Sequence, residues 1–399
     1  MEDITLEQAV ELLLARSPQP QREEVPLMAA LGRIVATDIR ASFDNPPFDR
    51  SPLDGYALRA ADTEGATAEQ PARLRLAGEE CAGDFYAARV MPGETVRIMT
   101  GGAMPKGTDA VIRQEDVETA GGEVWIPYPL HHHENYCFAG EDVRRGAVLV
   151  TAGEELTAAR LAVLASQGVA TVPVWRRPRV AVASTGDELT MPGTPLAPGK
   201  IYNSNLFLVA GRLRELGCDV EVMDIFPDEA GPAARHLAKM SAWADLLLTT
   251  GGVSVGKKDI MHDVVKHLGA ERLFRGVQMK PGYPAIGYQR GKTMGLALSG
   301  NPFAAYATFE LLARPLLAKL AGRKETALPR RKAVLLDDFP KESRGRRFIR
   351  AFYEEGRVRL PEQHASGSLF SAAGCNAFVD IPPGTGKLET GTGVEVVLL

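Results

Sequence analysis

The sequence predicts a multidomain α/β plus β protein. Its centre is a doubly wound, mostly parallel α/β domain, joined by a small β domain, a helical and extended N-terminal domain and a C-terminal β-barrel-like domain. Three observations carry this. At 399 residues the chain exceeds what one hydrophobic core usually serves. Between Pro178 and Arg330 strand-like apolar runs alternate with helix-like stretches, which implies a parallel sheet with right-handed crossovers. Before and after it lie short β-branched runs separated by Gly, Pro and charges, which read as separate β units.

Composition narrows the function. Hydrophobic residues make up 45% of the chain and charged ones 24%, as in an ordinary soluble globular protein. Lys plus Arg number 46 against 50 Asp plus Glu, a formal charge of −4, which argues against a general nucleic-acid binder and leaves room only for a local basic pocket. No apolar run reaches membrane-spanning length and MEDITLEQAV has no basic-then-apolar leader, so a cytoplasmic protein with no membrane partner is expected. Cys81, Cys137, Cys218 and Cys375 are scattered without a CxxC pair, which favours reduced thiols over a disulfide scaffold or a zinc site.

In chain order, Thr5 caps a first helix with Gln8 as its capping-box partner, and Leu6, Val10, Leu13 and Leu14 form its apolar stripe. From Phe43 the pattern changes. The stretch DNPPFDRSPLDGYALRAADT has no periodicity, yet Phe43, Phe48, Leu53 and Tyr56 are too apolar for a solvated tether. It reads as a packed functional loop with a tight turn at Asp54–Gly55. Residues 73–127 read as the short strands and turns of the small β domain. His131, His132 and His133 cannot converge on one metal ion from an extended segment, because successive side chains point to opposite faces, so a solvated loop is expected. Gly140, Glu141 and Asp142 end that loop, and a helix runs from a Thr157 cap to a Gly168 stop.

The α/β domain opens with the strand Val180 to Ser184, which runs into Thr185, Gly186, Asp187 and Glu188. Asn203 or Ser204 caps the following helix and Gly217 ends it. DVEVMDIF is the next strand, with Pro227, Asp228 and Glu229 opening a helix. LLLTT, from Leu246, is a buried strand whose end, Gly251 and Gly252, leaves the backbone bare for close approach of a ligand. GLALSGNP runs into Ser299, Gly300 and Asn301, with Asn301 suited to the N-cap and Pro302 to the first helical position. None of the turns is a Walker A or GxGxxG sequence, and each alone points to an anion only weakly. Three small-residue turns on one sheet edge make a pocket for a large phosphate-bearing ligand. After Arg330 the helical pattern stops. Arg344, Arg346, Arg347 and Arg350 there form a basic edge, with a solvated face and a functional one equally open.

At this point the residues resemble one family, the molybdopterin molybdenumtransferases (MoeA and the gephyrin E-domain). The resemblance covers essentially the whole chain and is carried by PPFDRSPLDGYALRAADT, PGETVRIMTG with PKGTDAVIRQED, the GED at Gly140 to Asp142, STGDEL, GKIYNSN, TTGGVSVGKKD, MKPGYP, SGNP and SGSLFSAAGCNAFVDIPPG. It implies four domains: 1–45 with 140–176, 46–139, 177–326 and 327–399. It also implies a homodimer with its active site at the subunit interface, fed by a donor protein that delivers adenylylated molybdopterin. That substrate and molybdate would give molybdenum cofactor and AMP with the help of Mg2+. The family's acids carry over onto Asp54, Asp142, Glu188, Asp228 and Asp259, with Thr100 beside them. On this resemblance Glu188, Asp142 and Asp259 organise metal and water, which suits hard carboxylate oxygens, and Asp54 comes from the partner subunit. Phosphates and pterin would lie on Thr185 and Gly186, on Gly251, Gly252 and Ser254, and on Ser299, Gly300 and Asn301. Lys257 and Lys280 would supply positive charge.

Two positions depart from the family pattern. Tyr283 stands where PGKP has its lysine, and Cys137 stands where an arginine is usual, five residues before Asp142. Each removes a positive charge, so weaker molybdate binding or a shifted role is expected. A non-catalytic molybdopterin-binding scaffold and a paralogue handling tungstate are the alternatives.

Overall fold

The computed structural model describes residues 1–80, 83–253 and 260–399. Its centre is a seven-stranded mixed sheet in the spatial order Glu2–Ile4, Glu271–Val277, Ile286–Arg290, Thr293–Leu298, Leu246–Thr250, Arg179–Thr185, Asp219–Phe226. The last four strands are mutually parallel, as the alternating pattern predicts, while Ile286–Arg290 runs antiparallel to both of its neighbours. Both faces are covered, and the strand residues divide between them with a period of two. Val180, Val182, Leu246, Leu248, Leu296 and Leu298 face the helices Ser204–Glu215 and Pro302–Thr308. Ala181, Ala183, Leu247 and Ala297 face the helices Ala230–Met240 and Met261–His267. Each buried Val or Leu contributes about 2 kcal/mol, so a shift of register by one residue is strongly opposed.

The first helix, Leu6–Arg16, has the expected capping box, and its Leu6, Ala9 and Leu13 pack into the sheet's own core. Ahead of it, Glu2–Ile4 pairs in parallel with Glu271–Val277 and becomes the edge of the sheet. Residues 22–40 return to pair with residues 148–175 around a separate core of Ala30, Val35, Leu156, Leu164, Val172 and Val174.

Between these halves lies a six-stranded unit in which Gly55–Leu58 is an inner strand, paired antiparallel on both sides and fully buried. Residues 44–54 are irregular, as expected, but Gly55 begins a strand where a tight Asp54–Gly55 turn was expected. Gly55 is there for close approach, since a Cβ would lie 2.0 Å from the Ile112 carbonyl oxygen.

The C-terminal strands Arg330–Leu335, Arg357–Arg359, Arg347–Glu354, Ala377–Ile381 and Gly393–Leu398 close into a barrel. Its basic edge is neither a bare solvated face nor a uniform one. Arg346 forks onto Asp380 at 2.9 and 2.7 Å and pairs with Glu7 of the first helix, while Arg350 is wholly buried. The helix after SGNP has Asn301 at its N-cap and Pro302 in its first turn, as expected. Asn301 makes no side-chain cap, and its amide instead donates to Ser299 Oγ. Further on, Phe309–Ala313 widens to a π-helical turn before Arg314–Leu320, because Pro315 has no amide to donate to Leu311.

Candidate active site

The three small-residue turns meet. Ser184 and Thr250, at the ends of adjacent parallel strands, are hydrogen-bonded through their hydroxyls at 2.8 Å. Ser184 also donates to Asn203 Oδ1, which caps the next helix by accepting from the Leu206 amide. Asn205 Nδ2 donates to the Gly300 carbonyl at 2.8 Å, and Gly251 donates to the Leu298 carbonyl. Gly251 has φ +92°, and a Cβ there would lie 2.3 Å from the Thr185 carbonyl oxygen. Only glycine allows the TTGG and STGDE turns to touch.

Such contact leaves buried polar atoms with nothing to bind. Among the described residues, Thr185 Oγ1, Asn203 Nδ2 and Asn205 Oδ1 are shut off from solvent without a hydrogen-bond partner. Buried polar groups are almost always paired, so three orphans around one junction make it a candidate site for a polar ligand. Ser299 is buried beside them, while Gly300 and Asn301 are exposed at the rim. The exposed Glu188 carboxylate folds back over Gly186, 2.8 Å from where a Cβ would sit, and takes no side-chain hydrogen bond among the described residues. Asp228 is tied to the same turn by its amide, which donates to Asp187 Oδ1 at 3.3 Å.

The other two described acids are held by local partners. Asp54 accepts both the amide and the hydroxyl of Thr100 at 2.7 Å. Those two bonds, the amide's first, hold its carboxyl below the usual aspartate range, so it stays ionised. Asp142 accepts from Asn45 Nδ2 at 3.0 Å. Among the described residues, no hydrogen bond or ion pair links either acid to the α/β domain, and no three His, Cys, Asp or Glu side chains group as a metal site. Ser254, Lys257 and Asp259 lie outside the described residues. The three histidines are exposed, as expected.

Sequence reasoning missed a cavity of about 240 Å³ where the barrel meets the SGNP helix. Its polar lining is Lys280, Lys341, Arg347, Arg350, His364 and Ser366, with no carboxylate among the described residues. That volume suits a small ion and falls below what a whole nucleotide-sized ligand needs. Arg350 gives its donors to the Gln363, Ala365 and Ser368 carbonyls at 2.8–3.2 Å and stacks its guanidinium 4.1 Å from the Phe303 ring. The Phe303 amide in turn donates to the Ser366 carbonyl. The barrel loop 363–368 is thereby fastened onto the helix that opens at Asn301, and Phe303 of that helix lines the cavity. The run of arginines beside an SGS loop was the available signal, but only the fold brings Lys280 to them.

Three family models match consecutive parts of the chain. They are the MoeA N-terminal region (domain I and II) over residues 4–168, a probable molybdopterin binding domain over 181–319, and the MoeA C-terminal region (domain IV) over 332–399. A molybdopterin molybdenumtransferase of Bacillus subtilis is 36% identical across 99% of this chain and 94% of its own length. One from Haemophilus influenzae is 36% identical across 98% of each. The chain belongs to the MoeA family of molybdopterin molybdenumtransferases. In structure it is similar to the molybdopterin biosynthesis MoeA protein of Pyrococcus horikosii, with a TM-score of 0.89, 34% identity and 99% of each chain covered. Within this MoeA-type chain the two departures acquire locations. Tyr283 does not line the cationic cavity, and its hydroxyl donates to Asp3 at the N-terminal edge strand. Cys137 is half-buried, and its backbone pairs with Arg50.

Proposed function

We propose that this protein inserts molybdate into adenylylated molybdopterin and releases AMP, as a cytoplasmic homodimer fed by a donor protein. The observation that carries the reading is the presence of two unlike sites on one helix, Pro302–Thr308, one at its start and one at Phe303. One is a glycine-cleared junction with three orphaned polar atoms, suited to phosphates and the pterin. The other is a small cavity lined by cations and no carboxylate among the described residues, suited to a free oxyanion. The hydrogen bond from Phe303 to Ser366 joins them.

The residues fit Mg2+ as an ion bound partly through substrate. Magnesium usually takes one or two carboxylates and keeps several waters, and the Glu188 carboxylate over the Gly186 turn would be one such ligand. Asp259 and Asp142 are the further candidates. When bound, the ion would neutralise phosphate charge. Glu188 orients water or metal at the edge, Thr185 and Asn205 hold the phosphate end, and Lys280 with Arg347 hold the oxyanion.

Among the described residues, Asp54, Thr100 and Asp142 make no bond to this edge within one chain, which supports their contribution from a second copy. Incubation with adenylylated molybdopterin, molybdate and magnesium is expected to yield AMP. Glu188→Ala or Asp259→Ala lowers that yield about a hundredfold or more. Retained pterin binding with no AMP above a blank would instead identify a scaffold, and equal turnover with tungstate would make the oxyanion choice open. Mixing inactive Glu188→Ala and Asp54→Ala chains should restore roughly a quarter of wild-type activity, since half the dimers are mixed and each carries one intact site. Silence of the mixture at full subunit exchange counts against the shared site.

A further inference from the structure

His364 lines the cationic cavity and has no part in the reaction proposed above. Its Nδ1 is shut off from solvent and has no hydrogen-bond partner among the described residues, and the same is true of Arg347 Nε in the same lining. The ring stands edge-on to Phe339 at 5.5 Å, so apolar packing fixes its plane. The backbone that carries it is held on both sides, because Arg350 donates to the carbonyls of Gln363 and Ala365. Among the described residues, every charged group facing it in the cavity is a cation: Lys280 from the turn after the Glu271–Val277 strand, Lys341 from the loop after the first barrel strand, and Arg347 and Arg350 from the next. A neutral imidazole tolerates such company while the cavity holds no anion. A bound oxyanion reverses the local field and favours the protonated ring.

We propose that His364 is a direct oxyanion ligand, taken into the complex as imidazolium with a ring N–H donated to the bound anion, so that oxyanion capture takes up a proton. The inference rests on the reading of this cavity as the oxyanion site. In the empty protein, burial first and then Arg350, Lys341 and Arg347 hold the imidazole below its ordinary range. The bound anion raises it again, and affinity therefore grows as pH falls between those two limits. The steepest possible dependence is one proton per anion, about tenfold in affinity per pH unit.

Calorimetric titration of the full chain with molybdate and with sulfate, between pH 6 and 8, tests this. Sulfate does not titrate in that window, so its pH dependence belongs to the protein. The expected result is an affinity for both ions that climbs several-fold on acidification, with net proton uptake read from buffers of different ionisation heat. His364→Gln, which keeps a polar side chain but cannot titrate, should bind with a flat profile. NMR titration of the His364 ring should show its pKa rising when molybdate is added. A pH-independent affinity in the wild type, or an unchanged slope in His364→Gln, overturns the proposal while leaving the oxyanion cavity standing. If neither ion binds the wild type at any pH, or if binding is indifferent to Arg347→Ala, the cavity reading itself fails and the proposal with it.

Discussion

The sheet edge and the barrel edge both suit anions, and they do so by opposite means. At the sheet edge side chains are removed: Gly251 and its neighbours let three backbone turns touch, and the polar atoms left over are unpaired hydroxyl and amide atoms. At the barrel edge side chains are added, and lysines and arginines line the cavity. Two nearby arginines, Arg346 and Arg350, are spent on structure, which leaves Arg347 between them facing the cavity. The lesson is that a run of arginines cannot be read as one surface. A strand sends successive residues to opposite faces, and burial decides which charges are available to a ligand.

The most damaging way to break the barrel edge is Arg350→Ala. It removes a wholly buried side chain that packs on Phe303 and donates to the part-buried carbonyls of Gln363, Ala365 and Ser368, so a loss of about 2 kcal/mol is expected. Thermal unfolding together with limited proteolysis near residue 365 measures it. Arg350→Lys should recover only part, since one ammonium cannot reach all three carbonyls. A melting curve unchanged by the alanine would mean that the loop is held by something else. The corresponding break at the sheet edge is Gly251→Ala. A Cβ in that left-handed conformation, 2.3 Å from a carbonyl oxygen, should cost about 2 kcal/mol in denaturant unfolding and abolish nucleotide-pterin binding. Binding at wild-type affinity would show that the two turns need not touch.

Local pattern alone made the sheet edge legible. Apolar runs ending in Ser, Thr and Gly, each followed by a helical period, point to strands whose carboxyl ends share an edge. What pattern could not give was contact between distant segments. The apolar stripe of Leu6 and Leu13 says that the first helix is buried on one face, but not that the face is the central sheet's. Gly55 looked like a turn residue because its requirement, a carbonyl 2.0 Å from a would-be Cβ, belongs to the distant partner strand Ala110–Arg113. The cationic cavity was illegible for the same reason: Lys280, Arg347 and His364 come from three separate segments.

A gentler probe of the barrel edge is acid. Burial pushes the Asp380 carboxyl up, but hydrogen bonds from Arg346 and Arg330 outweigh it and hold the group below the usual range. With the folded pKa depressed, the ion pair's stabilisation is fully present above the unfolded aspartate value of about 4 and is lost as pH falls through the folded value. Unfolding midpoints between pH 5 and 2 should therefore fall more steeply for the wild type than for Asp380→Asn. Parallel curves would assign the acid sensitivity to other carboxylates.

The smallest effect expected is at Tyr283, and it sharpens the comparison by showing where the barrel-edge site stops. From sequence alone the missing lysine of PGYP ought to weaken oxyanion binding, and Tyr283→Lys ought to repair it. The tyrosine instead lies on Gly276 with its hydroxyl on Asp3, and it forms no part of the cavity that contains Lys280. An ammonium introduced at this position would meet the Asp3 carboxylate before it met any oxyanion. Tyr283→Lys is therefore expected to leave molybdate affinity within about twofold, and Tyr283→Phe to cost less than about 1 kcal/mol, as exposed polar contacts do. Fraying of the Glu2–Ile4 strand, read by amide exchange, is where the phenylalanine variant should differ. A marked gain in molybdate affinity for Tyr283→Lys would mean that the turn swings toward the cavity when the anion binds, and would extend the barrel-edge site to a residue that now belongs to the N-terminal strand.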